Sequence, residues 1–244
     1  MPTKEDLLLE KRRYGLPQTI SSFELQQLKQ GMPVQKIMGY VDMHNVRIYL
    51  QHKVLIPRYE TEELILLVEQ YYKDANNIDV LDMCTGSGFI AIALKHENKT
   101  WNITASDIDL EAINQCNINA KENNVYINII QSDLFQNINQ KFDVIVSNPP
   151  YIQESEHLAD SVINYEPLHA LYAPEDGFYF YDAIIKHAPK YLKVNGTLFF
   201  EINPFHKKYW DELSKTYNIK IYKDMSNKDR FAVVKFDDLA NKKD

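Results

Sequence analysis

Asn148-Pro149-Pro150-Tyr151 is the stretch whose residue types point most directly to chemistry. It follows the apolar run Phe142-Asp143-Val144-Ile145-Val146, with Ser147 opening the loop. Such a run reads as a buried parallel strand, and in open α/β sheets ligands bind beyond the carboxyl ends of strands. Two successive prolines fix φ, remove two backbone donors and push Asn148 and Pro149 towards extended geometry. The carbonyls there have no helix or ladder to join, so they can face a pocket together with the Asn148 amide. A planar NH2 group needs two acceptors in fixed positions, and this turn can supply them, with Tyr151 stacking as one wall of the slot. The competing reading is a proline-rich turn that only ends a strand.

Three earlier strand ends carry a second pattern. Val80-Leu81-Asp82-Met83-Cys84-Thr85-Gly86-Ser87-Gly88 runs from a strand into a helix, and its glycines permit a tight turn and close approach of a ligand to backbone N–H groups. A dinucleotide fingerprint needs a third glycine, which Phe89-Ile90-Ala91 does not supply. Asp107 closes the second strand, where an acid can accept from two ribose hydroxyls, and Asp109 suits a helix N-cap. Asp133, in Ser132-Asp133-Leu134-Phe135, can accept from an adenine amino group while Leu134 covers the ring. A nucleoside cofactor without a pyrophosphate fits this set, and S-adenosylmethionine fits it better than a nicotinamide dinucleotide or a purely structural sheet.

These residues need a scaffold, and the surrounding pattern provides one. The chain has 244 residues, 45% hydrophobic and 25% charged, which is ordinary for a globular protein. A net charge of −7 argues against non-specific binding to duplex nucleic acid. Arg47, Lys53 and Arg58 are too few to mark a nucleic-acid surface. Two cysteines, Cys84 and Cys116, are too few for a disulfide scaffold and are expected to be buried small apolar residues in a reducing compartment. The seven histidines show no ligand spacing, so no metal is expected. No stretch is long and apolar enough to span a membrane and the N-terminus is mixed in charge, so a soluble cytoplasmic chain is expected.

In order, residues 3–13 and 21–30 predict two short helices, with Ser21 or Ser22 capping the second. Val46, Ile48 and Leu50 alternate, and Val54-Leu55-Ile56 follows a polar break, which predicts a β-hairpin. Thr61 is expected to cap the next helix, whose buried stripe is Leu64, Leu67, Val68 and Tyr71. Strands and helices then alternate: strands Ile78–Met83, Trp101–Ser106, Val125–Gln131 and Phe142–Val146, with helices Phe89–Lys95 and Leu110–Asn123. A polar loop over Gln153–Pro174 precedes a helix over Glu175–Leu192, a strand Thr197–Ile202, a helix His206–Thr216 and a strand pair, Ile219–Lys223 and Arg230–Phe236. This is the pattern of a doubly wound α/β sheet. The expected division is a helical segment at 1–40, a hairpin connector at 41–57, the main domain at 58–236 and a polar tail at 237–244.

The ordered set Val80–Gly88, Asp107, Ser132–Phe135 and Asn148–Tyr151 resembles a class I methyltransferase of the Asn-Pro-Pro-Tyr type. Such enzymes act on amino groups attached to planar systems: adenine N6, guanine N2 or glutamine N5. Leu55-Ile56-Pro57-Arg58-Tyr59-Glu60-Thr61-Glu62 upstream, and Tyr165–Leu171, Asp176-Gly177 and Asp229-Arg230-Phe231 downstream, are similar to the release-factor glutamine N5-methyltransferases. The resemblance covers about residue 33 to residue 236. It implies a Rossmann-like, mostly parallel seven-stranded sheet with an antiparallel terminal strand. It implies methyl transfer from S-adenosylmethionine to the glutamine of the Gly-Gly-Gln loop in class 1 peptide chain release factors. The segment at 1–40 would then be a reduced release-factor-docking cap, and a monomer without stable nucleic-acid partners is expected.

On this resemblance Asn148, Pro149 and Tyr151 would be catalytic. Asp82, Cys84, Thr85, Gly86, Ser87, Gly88, Asp107, Asp133, Leu134 and Asn148 would bind the cofactor. Asn148, Pro149, Pro150, Tyr151, Arg58 and Glu166 would bind the substrate. Glu201 stays open between a site role and a structural one. Cys84 stands where the family usually has glycine, Leu134 where a larger aromatic can occur, and Met43 and Asn45 interrupt a usual Phe-x-Gly pattern. The alternative that shares the Asn148–Tyr151 logic is an RNA or DNA amino methyltransferase acting on adenine or guanine.

Overall fold

Thr3 and Ser21 each sit three residues before an acid, and both build reciprocal capping boxes, with Asp6 and Glu24, in this computed structural model, which describes residues 1–236. The boxes start α1 (Lys4–Arg13) and α2 (Ser22–Lys29). A third helix, α3 (Val34–Met38), follows Pro33 and ends on Gly39 at φ 82°; its single turn was too short to show in the sequence pattern. Leu7, Leu28 and Val34 form a small core of their own.

The hairpin exists, but its arms are β1 (Tyr40–Met43) and β2 (Val46–Tyr49), not the expected pairing with Val54-Leu55-Ile56. His44 and Asn45 both take positive φ, 46° and 59°, which is the backbone twist a two-residue hairpin turn requires. Val54 and Ile56 are instead buried in the main core without joining a strand.

The remaining elements are α4 (Tyr59–Tyr71), β3 (Asp79–Met83), α5 (Phe89–Glu97), β4 (Asn102–Asp107), α6 (Leu110–Glu122), β5 (Asn128–Gln131), β6 (Phe142–Ser147), α7 (Asp160–Tyr165), α8 (Tyr179–Tyr191), β7 (Leu192–Glu201), α9 (Lys207–Leu213), β8 (Asn218–Lys223) and β9 (Asp229–Lys235). Asparagine side chains of α6 satisfy the free edge of β2: Asn119 Oδ1 accepts from Tyr49 N at 2.8 Å and Asn123 Oδ1 from Arg47 N at 3.0 Å. The seven-stranded sheet runs β5-β4-β3-β6-β7-β9-β8, parallel except for β9, which is antiparallel to both neighbours. Its central strands bury runs such as Val80-Leu81 and Val144-Ile145-Val146 because helices cover both faces, and the buried polar residues Asp82, Ser147 and Glu201 lie towards the carboxyl ends. One core joins α4, α5 and the hairpin to the sheet; the other gathers Tyr181, Ile184, Ile185 and Trp210 on the opposite face.

Three expected boundaries move. Residues 125–127 lead into β5 without pairing. The expected polar loop contains α7, and α8 starts only at Tyr179 because Glu175, Asp176 and Gly177 all take left-handed φ, at 54°, 55° and 89°. β7 starts at Leu192, and Asn195-Gly196 falls in a register shift that sets Phe142 opposite Leu192 but Val144 opposite Thr197. The tail expected at 237–244 lies outside the described residues.

The chain steps outward from β3 through β4 to β5, then returns to β6 on the other side of β3. β3 and β6 therefore flank the topological switch point. Ser147 Oγ donates to Met83 O at 2.6 Å and ties the two strand ends together there.

Candidate active site

A cavity of about 460 Å³ opens at the carboxyl ends of β3, β4 and β5, lined among others by Cys84–Ser87, Asp107, Asp133 and Leu134. The loop after β3 is set by Asp82, which is fully buried and accepts on Oδ2 from both Thr85 Oγ1 and Ala91 N. Burial pushes the Asp82 carboxyl up to about 7, against the pull of those two donors. Asp82 thus holds the loop and does not line the cavity. Gly86 at φ 54° has open space where a Cβ would stand, and its N–H donates to Asp107 Oδ2 at 2.9 Å. Asp107 Oδ1 accepts from Asp109 N at 3.0 Å, and burial raises the carboxyl above its ordinary range. Each oxygen accepts one of these backbone bonds, which leaves lone-pair capacity on a residue that lines the cavity.

The expected ligand role of Gly88 is not what its surroundings show. A Cβ there would stand 2.6 Å from Cys116 Sγ and 2.9 Å from Ile92 Cδ1, and Gly88 does not line the cavity. Its glycine is needed for the packing of α5 against α6. Cys84, expected to be buried, is partly exposed and lines the cavity; burial of Cys116 is complete.

Asn148 borders two cavities at once. It lines the first with Pro150, and a second of about 210 Å³ with Pro149, Tyr151, Arg58, Leu55 and Glu201. Its Nδ2 donates to Thr61 Oγ1 at 3.2 Å, and Thr61 Oγ1 donates to Glu201 Oε2 at 2.7 Å. The Tyr151 phenol donates to Glu201 Oε1 at 3.1 Å. Burial raises both the Glu201 carboxyl and the Tyr151 phenol above their ordinary values. Thr61 is therefore not the expected N-cap: Arg58, three residues earlier, holds that position, and the Thr61 hydroxyl is buried between Asn148 and Glu201. Behind the loop, a Cβ on Gly177 would stand 2.5 Å from Tyr151 O, so the left-handed turn at Asp176-Gly177 backs the slot.

Arg58 lines the slot, but Glu166 does not. Glu166 is 1% exposed; its Oε1 accepts from Arg58 at 2.6 Å and its Oε2 from Ile56 N at 2.8 Å. Arg58 in turn donates to Ile56 O at 2.8 Å. The pair clamps the strand-like lead-in that carries Leu55 and Pro57 into the cavity walls. Arg47, another expected basic group, is held by Asp42 at 2.7 Å. His169, part of the Tyr165–Leu171 motif but given no role there, lines the first cavity and reaches Asp109 Oδ2 at 3.0 Å, and Phe180, which no motif contains, lines it from α8. No cluster of three metal-ligating side chains occurs among the described residues.

Residues 64–235 match the methyltransferase small domain family. A release factor glutamine methyltransferase of Streptococcus pneumoniae is 38% identical over 86% of this chain and 77% of its own length. The chain belongs to the release factor glutamine methyltransferase family. Solved structures at lower identity show the shared class I methyltransferase fold. A T. thermophilus 16S rRNA N2 G1207 methyltransferase, in complex with AdoMet and guanosine, is 17% identical with a TM-score of 0.61, covering 81% of this chain and 50% of its own. A ribosomal protein L11 methylase from Lactobacillus delbrueckii is 20% identical with a TM-score of 0.52, covering 75% of this chain and 80% of its own. One acts on RNA and the other on a protein, so the fold alone does not choose the acceptor. In this family member Cys84 takes φ 62°, the left-handed backbone that explains why glycine usually stands there.

Proposed function

We propose that this chain transfers a methyl group from S-adenosylmethionine to the side-chain amide nitrogen of the glutamine in the Gly-Gly-Gln loop of class 1 peptide chain release factors, in the cytoplasm. The observation that carries it is the position of Asn148, the polar side chain shared by a large strand-end cavity and the smaller slot beside it. The cavity suits S-adenosylmethionine: Asp107 keeps acceptor capacity for a pair of ribose hydroxyls, and Gly86 offers open space at its Cα. When bound, that cofactor supplies an electrophilic methyl group on a sulfonium.

The rest falls to this chain's own residues. An amide nitrogen is a weak nucleophile because its lone pair is delocalised into the carbonyl. Asn148 Oδ1 and the Pro149 carbonyl accept the two N–H bonds of the substrate amide and aim its π-lobe at the cavity. These hydrogen bonds strengthen as positive charge builds on nitrogen, which favours the transition state over the ground state. Orientation lowers the barrier further without a general base. The methylated, protonated amide is a strong acid and releases its proton to water. Tyr151, fixed by Glu201, forms a wall of the slot.

Incubation with a class 1 release factor and S-adenosylmethionine, followed by mass spectrometry of the Gly-Gly-Gln peptide, tests the reading. One added methyl on that glutamine is expected. An unmodified peptide together with methyl transfer to RNA would replace it with the nucleic-acid alternative.

A further inference from the structure

Resting on that reading, we propose that Thr61 and Glu201 are positioning residues that set which end of the Asn148 amide faces the acceptor slot. An ionised carboxylate only accepts hydrogen bonds. Glu201 accepts a hydrogen bond from the Thr61 hydroxyl on Oε2 and one from the Tyr151 phenol on Oε1, at 2.7 and 3.1 Å. With its O–H already donated to Glu201, Thr61 Oγ1 has only lone pairs left for Asn148 at 3.2 Å. The Asn148 amide must therefore turn its NH2 to Thr61 and leave Oδ1 for the slot, and an acceptor is what a substrate NH2 requires. The direction of a buried chain of hydrogen bonds thus selects between two amide orientations of nearly equal shape.

The main chain that carries the carboxylate is anchored on both sides. The main-chain oxygen of Glu201 accepts from the Tyr181 phenol at 3.1 Å, and the next residue, Ile202, donates its N–H to Arg230 O at 2.8 Å. The charged groups facing Glu201 are Arg230 on β9, which favours its ionised form, and Glu60 on α4, which opposes it. Burial favours the protonated form, and a proton on Glu201 frees Thr61 to donate towards Asn148 instead. The amide would then present NH2 to the slot, where it repels the substrate NH2.

Two readouts test this, one of them without catalysis. In ligand-free protein labelled with 15N-asparagine, the Asn148 side-chain NH2 pair, assigned by its loss in Asn148→Ala, is expected to be shifted downfield and protected in wild type and in Thr61→Ser. Both features should vanish in Thr61→Val; an unchanged pair there would overturn the proposal. In turnover, Thr61→Val is expected to lower kcat about tenfold to a hundredfold. KM for S-adenosylmethionine should stay within about twofold, and Thr61→Ser should restore the rate. Equal losses in the two variants, or a matching loss of cofactor affinity, would also overturn it. If Thr61→Val does not fold, acidification of wild type gives the same reading: the Asn148 signal must move as Glu201 gains its proton, and a constant signal rejects the network. A wild type that methylates no release factor would sink the function while leaving the magnetic-resonance result to decide the network.

Discussion

The carboxylate and glycine wall of the strand-end cavity is built at short range: Gly86 meets Asp107 across 21 residues, and Cys84–Ser87, Asp107 and Asp133 each stand at or just after the end of their own strand. The acceptor slot is assembled from far apart, since Asn148 meets Thr61 across 87 residues and Thr61 meets Glu201 across 140. Local geometry can build a surface of backbone donors and carboxylate acceptors, because strand ends repeat the same layout across a parallel sheet. Fixing the orientation of one amide takes more. Both of its ends have similar shape, so only partners with fixed donor and acceptor roles can choose between them. The cavity thus needs position, whereas the slot needs position and polarity.

The widest separation between the two regions should come from Asn148→Ala. Loss of a transition-state acceptor is expected to lower kcat by about 100-fold to 1,000-fold. Calorimetric affinity for S-adenosylmethionine should stay nearly unchanged, because Asp107 and the Gly86 loop remain. Equal loss of affinity and rate would place Asn148 on the cofactor side and erase the distinction. Asp107→Ala is the reciprocal variant. Loss of a charged acceptor for two hydroxyls is expected to weaken cofactor binding roughly a hundredfold, or about 2.7 kcal/mol. At saturating cofactor, kcat should then recover to within a few-fold of wild type. A kcat that stays low at saturation would show that Asp107 also shapes the slot.

This difference in range also decides what could be read from the sequence. Asp107, Asp133 and the Cys84–Ser87 loop stand out because a strand, a glycine turn and an acid are close neighbours in the chain. Asp109 was legible as a cap for the same reason, and its side chain does accept from Glu111 N. Thr61 was misread because Glu62 and Glu63 after it make a local N-cap pattern, which a carboxylate on a distant strand overrides. Glu166 carried a motif but no partner, and its partners, Arg58 and Ile56, lie more than 100 residues upstream. The hairpin arms were misassigned because Val54 and Ile56 are buried by tertiary packing, which imitates strand alternation. Gly88 was the subtler case: the motif is real, but the space it saves belongs to Cys116.

Gly88→Ala and Gly86→Ala separate those two uses of glycine. At Gly88 the new Cβ would stand 2.6 Å from Cys116 Sγ, on a backbone at φ 86°. Overpacking of this kind is expected to cost about 2 kcal/mol, or roughly 4–8 °C in Tm. The cofactor affinity of what remains folded should not change. Adding Cys116→Ala removes the clashing sulfur, so the double variant should recover part of the loss, which calorimetry would show as non-additivity. At Gly86 a Cβ meets nothing within 4 Å and stands at the cavity wall, so the main loss should be cofactor affinity. If Gly88→Ala weakens the cofactor and leaves Tm alone, the packing account of that glycine is wrong.

The smallest effect is expected at Cys84, where two local terms oppose each other. A left-handed backbone at φ 62° costs a side-chain-bearing residue about 1–2 kcal/mol, and Cys84→Gly would relieve it. Glycine also loses more backbone entropy on folding, roughly 0.5–1 kcal/mol. The difference is a net stabilisation of at most about 1.5 kcal/mol, or up to roughly 6 °C in Tm. The thiol lines the cavity, and desolvation in the loop together with the Asp107 carboxylate pushes its pKa up, so it stays neutral and acts on the ligand by contact alone. Its removal should therefore change cofactor affinity by no more than a few-fold and leave kcat at saturation untouched. A Tm that falls in Cys84→Gly would mean that thiol packing outweighs the strain. The turn after β3 would then depend on distant partners as the slot does, and the contrast between the two regions would narrow.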